Sequence, residues 1–237
     1  MSNKFAIVAG GTGGLGRAVC RRLIDRGFDL AVTYIIPEEA EILEQELALG
    51  EDRLMLRRVD CSDSTAVTEF FAEAMQGRDD LTALVHLVGG WLGGRDVEDT
   101  DDVRFDRMID LNLRTSFNTA RAAIPHLRAA PWGRIVLIGS RAAIEPPAGQ
   151  ATYNLAKAGV IALARSIAQE LGDSHVTANV IMPSMIDTPA FRAAVPYADY
   201  VNWPKPDEIA NVIDFLTGHR SAVIDGAQIP VWGAAEF

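Results

Sequence analysis

The stretch FAIVAGGTGGLGRAV (Phe5–Val19) decides the fold of this chain, because a short apolar run leads directly into a cluster of glycines. The run Phe5–Ala9 is typical of a buried strand, and a helix is predicted to begin near Gly14. Glycines let a phosphate group approach the backbone, and the helix N-terminus offers free N–H groups to it. The stretch therefore predicts a dinucleotide site at a strand–loop–helix junction, with a purely structural glycine turn as the alternative.

Short apolar runs alternate with longer runs of helical period along the rest of the chain, which predicts βαβ units and a parallel sheet. The predicted strands are Phe5–Ala9, Leu30–Thr33, Leu54–Val59, Ala83–Val88, Ile135–Gly139, Val176–Ile181 and Gln228–Val231. Helices are predicted to begin near Gly14, Pro37, Asp63, Asp101, Gln150 and Pro206. We therefore expect an α/β fold: one Rossmann-type domain over residues 1–237, a doubly wound parallel sheet of about seven strands with helices on both faces. An irregular apolar segment at about 183–205 is expected to form a loop over a site.

The composition favours a small-molecule ligand over a nucleic acid or a membrane. The chain has 237 residues, a hydrophobic content of 49% and a net charge of −10, which opposes binding to polyanions. Two cysteines, Cys20 and Cys61, and four scattered histidines indicate neither a disulfide framework nor a metal site. The sequence shows no signal-peptide pattern and no apolar run of about 18 residues, so we expect a cytoplasmic protein.

A second informative stretch is GSRAAIEPPAGQATYNLAKAGV (Gly139–Val160). Tyr153 and Lys157 lie one helical turn apart and share a face, and Ser140 precedes them across a Pro/Gly turn. A free phenol has a pKa of about 10, and a nearby ammonium group lowers that pKa by stabilising the phenolate. These residues are therefore candidates for acid/base chemistry. The alternative is an ordinary amphipathic helix with Lys157 in solvent.

With these motifs in order, the chain resembles the short-chain dehydrogenase/reductase family over essentially its whole length. The resemblance implies four catalytic residues: Asn112 (in LNL), Ser140, Tyr153 and Lys157. Together with the glycine loop, the VDCSD segment and the PSMIDT segment, it implies a larger set of cofactor-binding residues. That set is Gly10, Thr12, Gly13, Gly14, Leu15, Gly16, Tyr34, Asp60, Cys61, Gly89, Tyr153, Lys157, Pro183, Ile186 and Thr188. Lys157 is also expected to hold the hydroxyls of the nicotinamide ribose.

The end of the second strand leaves the choice between NAD and NADP open. In the general Rossmann pattern an acidic residue about 20 positions after the glycines binds the adenosine ribose. This chain has Tyr34 there, which cannot accept two hydrogen bonds as a carboxylate does, and the following Ile35 cannot pair with a 2′-phosphate. Because no carboxylate at that position repels the phosphate, the sequence inclines towards NADP.

Two segments depart from the usual family pattern. HLVG (His86–Gly89) stands where NNAG is common, and we expect His86 to be a strand-end histidine bonded to the backbone rather than a catalytic acid. VGGWLGG (Val88–Gly94) and the segment from Asp187 to Ala210 resemble the dihydropteridine reductase branch of the family. That branch typically lacks a serine at position 140, so the similarity suggests a related substrate loop more than the same substrate.

The expected reaction is NAD(P)-dependent transfer of hydride between nicotinamide and a carbonyl or alcohol, with a tyrosine as general acid/base. The predicted substrate residues are Trp91, Arg141, Tyr197 and Trp203, and Leu92, Ile144 and Met185 are expected beside them in an apolar cleft. Arg141 either meets an anionic substrate group or points to solvent. The alternative functions are reduction of a C=N bond in a pterin-like ring and a non-catalytic dinucleotide-binding sensor.

A homodimer or homotetramer is also implied by the family resemblance. The alanine-rich helices from Asp101 to Leu127 and from Gln150 to Leu171 have more apolar surface than one sheet face needs. In the resembled family these two helices pack against their copies in a partner subunit.

Overall fold

The computed structural model describes residues 4–50, 52–198 and 200–233, and one parallel sheet lies at their centre. Its strands are β1 (Lys4–Ala9), β2 (Phe28–Tyr34), β3 (Leu54–Arg58), β4 (Leu81–His86), β5 (Gly133–Ile138), β6 (Val176–Pro183) and β7 (Gln228–Val231). The seven strands are ordered β3-β2-β1-β4-β5-β6-β7, and every neighbouring pair is parallel. The direction of winding reverses between β1 and β4, and doubly wound sheets form a ligand crevice at that point.

Helices cover both faces of the sheet. They are α1 (Gly14–Asp25), α2 (Pro37–Leu47), α3 (Ser64–Ala74), α4 (Asp102–Ile109), α5 (Thr115–Ala129), α6 (Ala151–Glu170), α7 (Pro189–Ala194) and α8 (Pro206–Leu216). Side chains alternate along β1, so that Phe5 and Ile7 pack with α3, α5 and α6, whereas Ala6 and Val8 pack with α1, α2 and α8. The predicted Rossmann-type α/β fold is confirmed.

The structure corrects several predicted boundaries. Strand β2 begins two residues before Leu30, and β4 ends at His86 rather than Val88, because the chain turns into the crevice there. The segment 183–205, predicted to be a loop, contains helix α7. Thr188 caps this helix by accepting a hydrogen bond from the Phe191 N–H at 3.3 Å, and Pro189 occupies its first position.

Helices α4 and α5 are joined by a π-helical turn (Asp110–Arg114) where the sequence predicted one helix from Asp101. Asn112, in the middle of this turn, is fully buried. Its Nδ2 donates to the Met108 carbonyl at 3.1 Å and to the Gly90 carbonyl at 3.0 Å, while its Oδ1 accepts from the Gly90 N–H at 3.1 Å. The wider turn thus lets one side chain fix the loop that follows β4. Such turns are frequent at functional sites.

His86 is buried between β4 and α5. Its Nδ1 lies 2.8 Å from the Thr119 hydroxyl and its Nε2 lies 3.2 Å from the Thr115 hydroxyl, with a further backbone hydrogen bond to Val88. Burial lowers the pKa of His86 to about 3, and the nearby Lys157 cation acts in the same direction. His86 is therefore a neutral structural residue, although two side-chain hydroxyls hold it where backbone groups alone were expected.

The described part of the chain contains neither a membrane-spanning helix nor a cluster of metal ligands. Among the residues that the structure describes, none of the helices combines the length and the hydropathy needed to cross a bilayer. Over the same residues, His, Cys, Asp and Glu side chains do not converge in threes or more around a point where a metal ion would sit.

His86 makes stability sensitive to acid. Because its pKa is lower in the folded chain than the ordinary value of about 6.5, its contribution is complete above pH 6.5 and is lost as pH falls towards 3. We predict that His86 accounts for a loss of about 2 kcal/mol of unfolding free energy between pH 7 and pH 5. Urea unfolding at both pH values is expected to show that the unfolding free energy of His86→Asn falls less between pH 7 and pH 5 than that of the wild type.

The matched control is His175→Asn, since His175 is exposed. This variant is expected to keep the wild-type pH dependence of the unfolding free energy. An equal pH dependence in His86→Asn and the wild type would contradict the assignment of His86 as a buried neutral group.

Candidate active site

The glycine loop between β1 and α1 packs tightly on one side and is open on the other. A Cβ atom on Gly16 would lie 2.4 Å from the Gly11 carbonyl carbon, so only glycine allows α1 to start this close to the loop. Gly13 precedes α1 without a side-chain cap, and no atom lies within 4 Å of the place where its Cβ would be. The first amides of α1 therefore have no side-chain cap, which leaves them available to an anion at the helix N-terminus.

A cavity of about 830 Å³ extends from this loop along the carboxyl ends of β1, β2 and β4. Seven of the residues predicted to bind a dinucleotide line it: Gly10, Thr12, Gly13, Tyr34, Asp60, Cys61 and Gly89. Gly14, Leu15 and Gly16 lie behind the loop in the first turn of α1. The glycine loop, the uncapped amides at the start of α1 and the size of the cavity fit a dinucleotide.

The end of this cavity beside β2 contains a carboxylate that the sequence analysis missed. Tyr34 ends β2, as predicted, and borders the cavity. Glu39, in the first turn of α2, borders the cavity too, and its Oε2 accepts a hydrogen bond from the Thr12 hydroxyl at 3.2 Å. Its only signal in the sequence is the acidic run after Pro37, which equally marks the start of a helix.

Asp60 and Cys61 form the wall opposite α2. The Asp60 Oδ1 accepts from the Ser62 N–H at 2.9 Å and from the Ser62 hydroxyl at 2.7 Å, which fixes the turn after β3. Cys61 is buried against Thr33, and burial raises the pKa of its thiol to about 11. The thiol is therefore a packing group and not a nucleophile.

Lys157 is buried close to Gly89 and does not itself line the first cavity. It is 5% exposed, and its Nζ donates to the Ile138 carbonyl, at the end of β5, at 2.9 Å. A Cβ atom on Gly89 would lie 3.1 Å from this Nζ and 2.8 Å from the Asn112 Oδ1. The missing side chain at Gly89 thus leaves room for Lys157 and Asn112 to approach one another beside the first cavity. Burial lowers the pKa of Lys157 to about 8.

Tyr153 lies on the same face of α6 as Lys157, whose Nζ is 6.0 Å from the centre of the phenol ring. Burial raises the pKa of Tyr153, and a hydrogen bond with the Ser140 side chain lowers it by a smaller amount. The expectation that Lys157 makes this phenol acidic is therefore not met in the protein alone, because the loss of hydration outweighs the neighbouring groups. The structure does bring Ser140, Tyr153 and Lys157 together as predicted from their spacing.

A second cavity of about 490 Å³ opens in front of Ser140 and Tyr153. The other residues that line it are Trp91, Arg141, Ala142, Pro147, Gln150, Ser184, Met185, Phe191 and Val195. Most of these side chains are apolar. Trp91 is oriented by its indole N–H, which donates to the Gln150 Oε1 at 2.5 Å. Gln150 and Phe191 were missed, because nothing in the local sequence distinguishes them from helix-end and core residues.

Two of the predicted substrate residues do not line this cavity. Tyr197 is 100% exposed, because the chain after α7 turns its side chain to solvent. Trp203 is 4% exposed and packs edge-on against Phe191 and Tyr200, with ring centres 6.2 Å and 5.1 Å apart. Trp203 thus packs against α7, while Phe191 of that helix and Val195, directly after it, line the cavity. Leu92 and Ile144 are also absent from its lining among the described residues.

Arg141 is held at the wall of the second cavity rather than pointing freely to solvent. Its Nε donates to the Glu145 carboxylate at 2.8 Å, and its guanidinium lies 4.8 Å from the centre of the Trp232 ring. Both contacts place a cation next to Ser140.

The segment 183–188 lies between the two cavities. The Ser184 hydroxyl donates to the Trp232 carbonyl at 2.8 Å, and Ile186 packs into the core beneath α1. A Cβ atom on Gly14 would lie 3.0 Å from the Thr188 Cγ2, so Thr188 packs over the start of α1. Three residues predicted to bind the cofactor therefore do not line the first cavity. They are Pro183, which ends β6, and Ile186 and Thr188, which lie on the side of the glycine loop.

Comparisons with known proteins agree with this architecture. A family model described as short chain dehydrogenase matches residues 4–197. The 3-oxoacyl-[acyl-carrier-protein] reductase MabA of Mycobacterium bovis is 32% identical, over 98% of this chain and 92% of its own length. A short-chain dehydrogenase/reductase structure from Serratia marcescens has a TM-score of 0.88 and 29% identity, over 98% of this chain and 97% of its own.

A structure of ElxO with NADP bound has a TM-score of 0.90 at 20% identity, over 98% of each chain, and shares the fold. The family model covers most of the sequence, and the first cavity lies where this fold has its crevice. The chain therefore belongs to the short-chain dehydrogenase family of oxidoreductase enzymes.

Proposed function

We propose that this protein interconverts a carbonyl and an alcohol with a nicotinamide dinucleotide, and that Tyr153 is the general acid and base. One observation carries the proposal. The hydrogen-bonded pair of Ser140 and Tyr153 opens into an apolar cavity, while Lys157 and Asn112 converge behind it on Gly89 of the dinucleotide cavity. The proposed proton donor and oxygen-binding group thus line the second cavity, and a cation lies close to Gly89, which lines the first.

The residues of the first cavity would hold the dinucleotide. Thr12, Gly13 and the first amides of α1 would receive the pyrophosphate, and Tyr34 and Asp60 would border the adenosine. When bound, the nicotinamide supplies or accepts the hydride. We propose NADP(H) as the cofactor, with NAD(H) also accepted. Two observations support NADP(H). Position 34 holds a tyrosine rather than a carboxylate, and ElxO, a protein of the same fold, has NADP bound.

Ser140 and Tyr153 would act directly on the substrate oxygen. Ser140 donates a hydrogen bond to this oxygen, which stabilises the negative charge that builds up there during reduction. Tyr153 gives its proton to the same oxygen, and in the oxidation direction it takes the proton back. Its raised pKa keeps the phenol protonated at neutral pH, which suits the role of acid.

Lys157 and Asn112 would support Tyr153 from behind. The Lys157 ammonium stabilises the phenolate left after proton transfer and, by family resemblance, holds the nicotinamide ribose. Asn112 holds the backbone of Gly90, and so keeps Gly89 next to Lys157. Asn112 therefore acts by positioning the loop after β4.

The second cavity favours a ketone with an apolar body. Its walls are mainly apolar, and MabA, a relative of this chain, is a 3-oxoacyl reductase. We propose Arg141 as the contact for an anionic or strongly polar group of the substrate, next to the reacting carbonyl. Reduction of a C=N bond in a pterin-like ring is the second candidate, supported by the resemblance of the segment around Trp91 to dihydropteridine reductases.

We also propose that the chain forms a homodimer or homotetramer. Apolar side chains on α5 and α6 remain exposed: Phe117 is 47% exposed and Leu155 58%. Such side chains on two helices fit a helical subunit interface.

The test of the proposed chemistry is the loss of one hydroxyl. We predict that Tyr153→Phe lowers the rate by at least about a hundredfold, because the proton donor is removed, while dinucleotide binding stays within about twofold. Oxidation of NADPH and NADH will be followed by absorbance with a panel of ketones, aldehydes and quinonoid dihydropterin. Binding will be followed by tryptophan fluorescence.

Tyr197→Phe is the matched control, because it removes the same hydroxyl from a fully exposed side chain. It is expected to keep the wild-type rate. A Tyr153→Phe variant that retained more than about a tenth of that rate, a change of under about 1.4 kcal/mol, would show that Tyr153 is not the acid. Binding of both cofactors without oxidation of either by any substrate would favour a sensor, and turnover of the dihydropterin alone would favour the second candidate.

The mass of the protein in solution tests the proposed homodimer or homotetramer. Light scattering at micromolar concentration is predicted to give the mass of two or four chains, and Leu155→Glu is predicted to lower it, because a charge would be buried in the interface. A wild-type mass of one chain would rule out the proposed assembly.

A further inference from the structure

The carboxylate of Glu39 faces the glycine loop from the first turn of α2. Its Oε2 accepts a hydrogen bond from the Thr12 hydroxyl at 3.2 Å, although the two residues are far apart in sequence. Glu39 is half-buried and borders the first cavity, whereas the adjacent Glu38 is exposed and does not line it. One of the two glutamates is thus built into the wall of the site.

Glu39 lies where this fold is expected to hold the adenosine ribose. The ribose joins the adenine to the pyrophosphate, and in this fold its hydroxyls meet the residue at the end of the second strand. That residue is Tyr34, which lines the same cavity as Glu39 and Thr12, and Thr12 belongs to the loop that receives the pyrophosphate. Glu39 is hydrogen-bonded to Thr12 and lines the same cavity as Tyr34. Its carboxylate is therefore expected next to the ribose, which connects the adenine to the pyrophosphate.

The charge around this position is unfavourable for a further phosphate. The acidic residues that line the cavity are Glu39, Asp60, Asp106 and Asp110. Arg107, on α4, is the basic residue found in the lining among the described residues. Arg58 is paired in register with Tyr34 but does not line the cavity. A 2′-phosphate brings up to about two negative charges, whereas a 2′-hydroxyl can donate a hydrogen bond to a carboxylate.

We propose that Glu39 limits the preference for NADP(H) over NAD(H), by repelling the 2′-phosphate and accepting a hydrogen bond from the 2′-hydroxyl. Glu39 thereby supplies from helix α2 the carboxylate that is absent from the end of β2. Its effect is to keep the preference for NADP(H) small, so that both cofactors are used. This inference rests on the proposed function, because it takes the first cavity to be the dinucleotide site.

The experiment compares Glu39→Gln with the wild type. Glutamine can keep the hydrogen bond from Thr12 and removes only the charge. Dissociation constants for NADPH and NADH will be measured by tryptophan fluorescence without any substrate. We expect the ratio of NADPH affinity to NADH affinity to rise about tenfold, which corresponds to about 1.4 kcal/mol. The rise is expected to become smaller as salt is added, because salt screens the repulsion.

Glu38→Gln is the matched control, since it removes the same charge one residue away and outside the cavity. Its affinity ratio is expected to stay within about twofold of the wild type. An unchanged ratio in Glu39→Gln, or an equal change for both cofactors, would overturn the inference and leave Glu39 as a support for the glycine loop. If neither cofactor bound to the wild type, the proposed function itself would fail, and the inference with it.

Discussion

A lysine ammonium buried beside a backbone carbonyl is the interaction on which the site depends. Lys157 is 5% exposed and is held by the Ile138 carbonyl at the end of β5, so its position is set by the sheet and by helix α6 together. Burial of a cation is unfavourable, and it lowers the pKa of Lys157 to about 8. The buried ammonium lies next to Gly89, whose missing side chain leaves it close to the first cavity.

The same burial acts on the phenol in front of the lysine. Loss of hydration raises the pKa of Tyr153, whereas the hydrogen bond with Ser140 lowers it. In the protein alone, Tyr153 is thus protonated at neutral pH and Lys157 is only moderately basic. A positive nicotinamide next to the phenol would add to the stabilisation of the phenolate, so the acidity of Tyr153 is expected to depend on whether the cofactor is oxidised.

Local patterns predicted the fold and the central residues, and long-range packing decided the rest. The glycine loop and the Tyr153–Lys157 spacing are each contained in a few residues, so sequence alone indicated the strand–loop–helix junction and the shared helix face. The contact between Thr12 and Glu39 depends on the parallel pairing of β1 and β2, which brings α2 to the loop. Tyr197 and Trp203 do not line the second cavity, and their sequence could not show this, because an aromatic side chain is compatible with core, cavity or solvent until the path of the chain is known.

The most direct test of the central claim is the titration of Tyr153 itself. The ultraviolet absorbance of tyrosinate, taken as the difference between the wild type and Tyr153→Phe, will be recorded against pH with and without the oxidised dinucleotide. We predict that Tyr153 titrates above the ordinary phenol value of about 10 in the protein alone and clearly below it in the complex, and that Lys157→Met weakens the second effect. A phenol that titrates at the same pH in both states, or that is indifferent to the loss of the lysine, would contradict the account.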